Sequence, residues 1–414
     1  MIWRVQLVLT ALLTLLVLGP PPLAGAQGRL EVTHRSTGHE VHVSSPALAV
    51  TGDGGPLLTW AAHDGHANHL FLARPGAGPG APVQVNPADL GVDSLHQGPG
   101  LAVGPGGEIY VSWSSRKARP ASALFASDLR LSRSLDGGRS FETPLRVNED
   151  RPMSHSFEGL AVAPDGTVLV SWIDSREGEN RAATYLARVG ERGSRVEQAM
   201  RLDGDTCVCC RVDLAAGPRG VAILWRKVFP GSIRDMVIGL SADGGRSLAS
   251  VSRVSVDGWK LNACPHRGGR VALDGRGRIY AAWYTEGADG RPRVLFAVSE
   301  NGRRFGPSRR LDTSAGTIPD QVQLAVSASG RVVATWQDAT AVRRRILVRR
   351  SPDGGRTWGG VEVLSRAIKA YAPGVAVTRA GDFLVAWHEE QFPVTKTVVE
   401  PLHWPPVSSL GTGR

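Results

Sequence analysis

Apolar residues in this chain fall in short runs that repeat along its length. Seven of these runs close on tryptophan: LLTW (Trp60), YVSW (Trp113), LVSW (Trp172), AILW (Trp225), YAAW (Trp283), VATW (Trp336) and LVAW (Trp387). The spacings are 53, 59, 53, 58, 53 and 51 residues, a period that marks stacked or ring-forming repeats. Each run follows a second repeated phrase, such as GLAVGPGGEIY, GLAVAPDGTVL or QLAVSASGRVV. That is a short strand, a glycine-rich turn and a second strand, which predicts a hairpin in every repeat. A polar loop follows the tryptophan. A third strand comes next (DLRLSRS, MVIGLSA, RVLFAVS, ILVRRS), then a turn, then a fourth strand (PLRVNE, SRRLD). The prediction is an all-β chain with four antiparallel strands per repeat.

The turn before the fourth strand is the most specific local motif. It reads SLDGGRSF (134–141), SADGGRSL (241–248), SPDGGRTW (351–358) and, in a degenerate copy, SENGRRFG (299–306). A tight turn needs glycine at positive φ, and an aspartate can accept bonds from backbone N–H groups two residues on. Asp136, Asp243 and Asp353 are therefore read as structural turn residues. The motif resembles the Asp box, or BNR repeat, of the sialidase-like β-propellers, and the resemblance covers roughly residues 29–400. It implies four-stranded blades around a central axis. First strands starting near residues 45, 96, 155, 208, 264, 319 and 371 predict seven blades. LEVTHR (30–35) resembles a fourth strand and is expected to complete the seventh blade, closing the ring and leaving no edge. A six-bladed ring of the sialidase type is the alternative.

Residues 1–26 read as a signal peptide: Arg4, an apolar run, then Ala24-Gly25-Ala26 ahead of Gln27. The chain is expected to be periplasmic or secreted after cleavage near Ala26. Residues 27–400 form one propeller domain and 401–414 a flexible tail. The net charge of +10 rests almost wholly on arginine, with no basic tail, and reads as compositional bias. No nucleic-acid partner and no membrane span of the mature chain are expected, and the protein is expected to be a monomer.

In a propeller the segments leading into the first strands and those leaving the second strands share one face, opposite the Asp boxes. Polar chemistry concentrates there: His96, His155, Glu158, Arg211, Arg267 and Tyr371 at the starts of first strands, with Asp64, Asp174, Arg176, Glu286, Asp338 and His388 after second strands. All four cysteines sit on the same face of two adjacent blades, in DTCVCC (Cys207, Cys209, Cys210) and NACPHRGG (Cys264, with His266). In an exported chain they suggest disulfides, with a bridge from CVCC to Cys264 tying two blades together. The rival is a soft-metal site for copper or zinc built from the thiolates and His266. The resemblance to sialidases implies a nucleophilic tyrosine, here Tyr371, with Glu158 or Glu286 as its base. It also implies Asp64 or Asp174 as the acid and Arg211, Arg267 and Arg176 as a carboxylate clamp. The extra blade and the missing Phe-Arg-Ile-Pro segment argue instead for a binding module that holds a protein or glycan. Sialidase or related glycoside hydrolase activity is the alternative.

Overall fold

The computed structural model describes residues 28–404 apart from 36–42, 64–65, 77–80, 94–97, 117–125, 177–180, 314–315 and 392–393. Asp64, His96, the signal segment and the end of the tail lie outside the described residues.

The described chain is β-structure with one helical turn at Gly190–Gly193. The first strand, β1 (Leu30–Arg35), stands alone in sequence. Then come β2–β5 (Ala47–Val50, Pro56–His63, Asn68–Ala73, Val83–Gln84) and β6–β9 (Gly100–Val103, Ile109–Arg116, Ser127–Ser134, Leu145–Arg146). They are followed by β10–β13 (His155–Val162, Val168–Asp174, Ala182–Val189, Arg195–Val196) and an additional strand β14 (Met200–Thr206). The rest are β15–β18 (Asp213–Gly217, Gly220–Phe229, Ile233–Ser241, Ser250–Arg253), β19–β22 (Gly269–Leu273, Ile279–Thr285, Arg293–Ser299, Arg309–Arg310), β23–β26 (Ile318–Val326, Val332–Ala339, Arg344–Ser351, Glu362–Val363) and β27–β29 (Lys369–Val377, Phe383–Gln391, Val394–Leu402). Each group is an antiparallel meander. The last group takes its fourth strand from the other end of the chain: β1 pairs antiparallel with β29, Leu30 opposite Val399 and Arg35 opposite Val394.

The first strands line up around a common axis. β2 touches β6, β6 touches β10, β10 touches β15, β15 touches β19, β19 touches β23, β23 touches β27, and β27 returns to β2. Neighbouring sheets pack face to face through the apolar side chains that alternate along their second and third strands. The repeated tryptophans are the bulk of that filling: Trp113, Trp172, Trp225, Trp283, Trp336 and Trp387 are all fully buried. Each large aromatic withdraws enough apolar surface to be worth several kcal/mol, on the order of 3–5 if truncated to alanine.

The Asp boxes close the third-to-fourth-strand turns. Ser241 Oγ donates to Asp243 Oδ1 at 2.7 Å and accepts from Gly245 N at 2.8 Å, while Asp243 accepts from the amides of Arg246 and Ser247 at 2.9 Å each. Ser134 with Asp136 and Ser351 with Asp353 repeat this pattern. Gly244 and Gly245 lie at φ +71° and +88°, where a side chain would be strained. These hydrogen bonds hold Asp136 and Asp243 well below the usual carboxylate range, Asp136 mainly through Ser140 and Asp243 mainly through the Ser247 hydroxyl.

Three first strands begin with the same irregularity. The register shifts between Ser156 and Gly159, between Asp320 and Gln323, and between Tyr371 and Gly374. Inside each bulge a non-glycine residue takes positive φ: Phe157 at 60°, Gln321 at 51° and Ala372 at 55°. Bulges re-aim side chains, and these sit where the chain approaches the axis.

Candidate functional site

The starts of the first strands surround an axial cavity of about 630 Å³ that draws lining residues from every first strand. Its polar side is a set of ion pairs. Arg267 binds Asp320 through two bonds, Nε to Oδ1 at 3.0 Å and Nη2 to Oδ2 at 3.1 Å, and its Nη1 lies 4.0 Å from Glu286 Oε1. The Arg267 guanidinium stacks over the Tyr284 ring, 4.2 Å from its centre, and the Tyr284 hydroxyl donates to Glu286 Oε1 at 2.6 Å. Burial pushes the Tyr284 phenol up, and the bond to Glu286 adds to it. Burial would lower Arg267, but its pairing with Asp320 outweighs that and raises it. Arg270 Nη1 reaches Asp213 Oδ1 at 3.3 Å. Arg211 donates to the carbonyls of Glu158 and Gly98, both at 2.8 Å, and its Nη2 is 4.0 Å from Glu158 Oε1. Burial lowers Arg211 and raises the fully buried Glu158. The less polar wall carries Phe157 and the exposed His266, whose rings are 5.9 Å apart.

Of the residues expected on the rim, Arg211, His266 and Arg267 line this cavity, and Glu286 reaches it through Tyr284. Several others are interior instead. His155 is fully buried, with Nδ1 2.7 Å from the Ser127 carbonyl. Asp174 is fully buried and serves Arg176 at 2.6 Å and the Trp172 indole at 3.3 Å; Arg176 is half-buried and does not line the cavity. Asp338 is buried against Arg345 at 2.8 Å. His388 is buried between Ser44 and Thr397. Tyr371 lies beside His388, with ring centres 5.2 Å apart and planes tilted by 54°, and does not line the cavity. A tyrosine–carboxylate pair does occur at the cavity, where the Tyr284 hydroxyl meets Glu286. Tyr284 was hidden in the sequence because it directly follows a core tryptophan and reads as strand interior.

The cysteines converge beside the cavity, with a pairing other than the one expected. Cys207 and Cys210 form a disulfide within the CVCC segment, with Cα atoms 5.4 Å apart, so the short loop closes on itself. Cys209 is buried and Cys264 exposed, and neither is disulfide-bonded. Burial above all pushes the Cys209 thiol up, to about 12. The sulfurs of Cys207, Cys209 and Cys210 lie within 4.8 Å of one another. Arg234 Nη1 is 3.0 Å from Cys207 Sγ. With Cys207 and Cys210 bonded to each other, the expected copper or zinc set is reduced to Cys209, Cys264 and His266.

No protein-family model matches the sequence, and no curated protein matches it. Solved structures do. An ulvan lyase bound to -[GlcA(1-4)Rha3S]- superposes with a TM-score of 0.58 at 12% identity, over 89% of this chain and 96% of that one. A protein of unknown function from Dyadobacter fermentans gives 0.53 at 12%, over 90% and 98%. An α-L-arabinanase of Penicillium chrysogenum complexed with arabinobiose gives 0.50 at 13%, over 73% and 92%. The chain has a β-propeller fold. At these identities the likeness concerns the path of the propeller backbone and carries no site residue across.

Proposed function

We propose that the chain is an exported seven-bladed propeller that binds a neutral, hydroxyl-rich saccharide at its axial mouth. Seven groups of strands with first strands in a closed cycle, and β1 completing the last, support the blade count. The observation that carries the ligand reading is the charge balance of the cavity. Arg211, Arg267 and Arg270 are each matched to a carboxylate: Glu158, Asp320 and Asp213. A carboxylate clamp of the sialidase kind needs unpaired guanidinium groups, and a strongly anionic ligand would have to displace one of these partners. Saccharide hydroxyls need only the remaining lone pairs and N–H groups, which fixed Arg–carboxylate pairs offer at set angles. The cavity volume lies within the roughly 300–1,000 Å³ usual for small-ligand sites. The arabinanase, a propeller of similar path, was solved with the neutral saccharide arabinobiose, whereas the ulvan lyase was solved with an anionic one.

Calorimetric titration with neutral oligosaccharides and with uronate- or sialate-bearing ones tests this. Binding of a neutral member is expected, weakened at least tenfold by Arg267→Ala. Binding confined to anionic members, or to no saccharide, would overturn the reading.

A second reading, glycoside hydrolysis, has one observation in its favour: the hydroxyl of Tyr284, which lines the cavity, is bonded to Glu286 at 2.6 Å. Glu286 could draw off the phenol proton as Tyr284 attacks an anomeric carbon. Turnover of a fluorogenic glycoside, lost in Tyr284→Phe and kept in Tyr371→Phe, is its test. A panel with no turnover removes hydrolysis and leaves the binding site standing.

A further inference from the structure

We propose that the edge of the sixth blade on the axial-mouth face docks onto an anionic lipid surface. This contact stands independently of the saccharide reading. Three segments meet at that edge. Ile318, which opens β23, pairs with Ala339 at the end of β24. Ala339 pairs with Arg344, which opens β25. Arg344 pairs in turn with Lys369, and its amide donates to the Ile368 carbonyl at 3.0 Å. Three aliphatic side chains therefore stand along one edge: Ile318, 49% exposed, Val342, 82%, and Ile368, 67%. Two bonds close the turn that carries Val342. Thr340 N donates to the Arg343 carbonyl at 2.8 Å, and Arg343 N donates to Thr340 Oγ1 at 3.1 Å. Ala341 and Val342 form its exposed tip. An apolar tip held in this way gives up little freedom when it is buried.

The charge around these side chains selects the partner. Arg343, Arg344 and Arg366 are exposed, and none has a carboxylate partner among the described residues. The carboxylates at this edge are already taken, Asp338 by Arg345 and Glu390 by Lys369, both at 2.8 Å. Guanidinium groups bind phosphate through two parallel bonds, and aliphatic tips enter the headgroup boundary beside them. Protein interfaces are instead anchored by tryptophan and tyrosine set in a matching recess. No aromatic residue stands in 316–318, 339–345 or 366–369. Docking here would turn the axial mouth toward the lipid, because Ile318 lies two residues ahead of Asp320, which lines the cavity.

The experiment uses the mature chain, without residues 1–26, sedimented with vesicles of phosphatidylcholine alone or mixed with phosphatidylglycerol. Binding is expected to the mixed vesicles only and should weaken as salt rises. Val342→Glu and Ile368→Glu change exposed side chains, and each should weaken binding roughly tenfold or more. Arg343→Gln with Arg344→Gln should weaken it about 25-fold, from about fivefold for each arginine. Two controls lie on the Asp-box face: Leu135→Glu, at a position 60% exposed, and Arg303→Gln with Arg304→Gln. Both should bind as the parent chain does. Several results would overturn the proposal. One is no binding to the mixed vesicles, or equal binding to the neutral ones. Another is equal weakening in the two controls, which would make the effect one of net charge. A third is self-association in sedimentation velocity, lost in Val342→Glu and without vesicle binding, which would assign the edge to a second copy of the chain.

Discussion

The closure of the ring depends on two neutral histidines, and acidification should open it. His34 on β1 is buried edge-on against Trp60 at 4.9 Å. Its Nε2 lies 2.6 Å from Thr397 Oγ1; the same hydroxyl is 2.9 Å from His388 Nδ1, and His388 Nε2 is 2.8 Å from the Ser44 carbonyl. One chain of donors satisfies all of these contacts. His34 Nε2–H donates to Thr397, the Thr397 hydroxyl donates to His388, and His388 Nε2–H donates to Ser44, with each imidazole carrying one proton. A second proton on His388 would place an N–H against the Thr397 hydroxyl proton and break the chain. Two charged rings with centres 6.0 Å apart would also repel.

Burial lowers His388 from 6.5 to about 4, and burial followed by repulsion from His388 lowers His34 to about 3. A histidine depressed in the fold binds fewer protons there than in the unfolded chain. Its stabilisation is therefore complete above pH 6.5 and is lost as the pH falls toward the folded value. At about pH 5 each histidine has given up about 2 kcal/mol, or about 4 together. Glu31 and Glu389, which pair with Lys396 and Arg29 along the same seam, are held below the ordinary 4.5 and stay charged over this interval. Glu158 and Asp235, raised by burial in other blades, act in the opposite sense. The assay must therefore be local. Hydrogen exchange in β1 and β29, corrected for intrinsic rates and compared with β20, whose sheet contains no histidine, should lose about a thousandfold protection between pH 7 and 5. His34→Gln or His388→Gln should each roughly halve that loss in logarithmic terms. Protection that is constant with pH, or that falls equally in β20, would refute the argument.

Three further outcomes follow from individual contacts. Ser241→Ala leaves the buried Gly245 amide without an acceptor and should cost about 1–3 kcal/mol in denaturant unfolding, with saccharide affinity unchanged. The Trp336 indole N–H has no partner among the described residues, whereas that of Trp283 donates to Asp257 at 2.7 Å. Trp336→Phe should therefore unfold at higher denaturant than Trp283→Phe, by roughly 1–3 kcal/mol for the charged acceptor left behind. Asp320→Asn should weaken saccharide binding while leaving the melting temperature within a few degrees, because Arg267 keeps Glu286 as a neighbour.

The repeat was legible because it is written in residues with one job each. Tryptophan must fill the gap between sheets, and Ser-x-Asp-Gly-Gly must make its turn. The pairing of β1 with β29 was legible for the same reason, since LEVTHR carries the pattern of a fourth strand. β14 was not: Met200–Thr206 pairs with both β12 and β16, and no turn motif announces such a bridge. The rim was legible only in part. Which side chains face the axis depends on bulges at Phe157, Gln321 and Ala372, and shifting register by one residue sends a side chain to the other face. Tyr371, His155 and His388 do not line the cavity, whereas Tyr284 and Asp213, which nothing in the sequence singles out, do. The cysteine segment was placed on the correct pair of blades, but the partner choice within CVCC is decided by a local loop that spacing alone does not reveal.

The claim that the axial mouth is the ligand site is tested most directly by a hydrogen-exchange footprint of the chain with and without the tightest-binding neutral oligosaccharide. The account predicts new protection in residues 209–214, 265–271 and 320–324, which line the cavity or lead into it, and none in the Asp-box turns at 134–141, 241–248 and 351–358. Protection at those turns, or at the outer strands with the mouth unchanged, would contradict it.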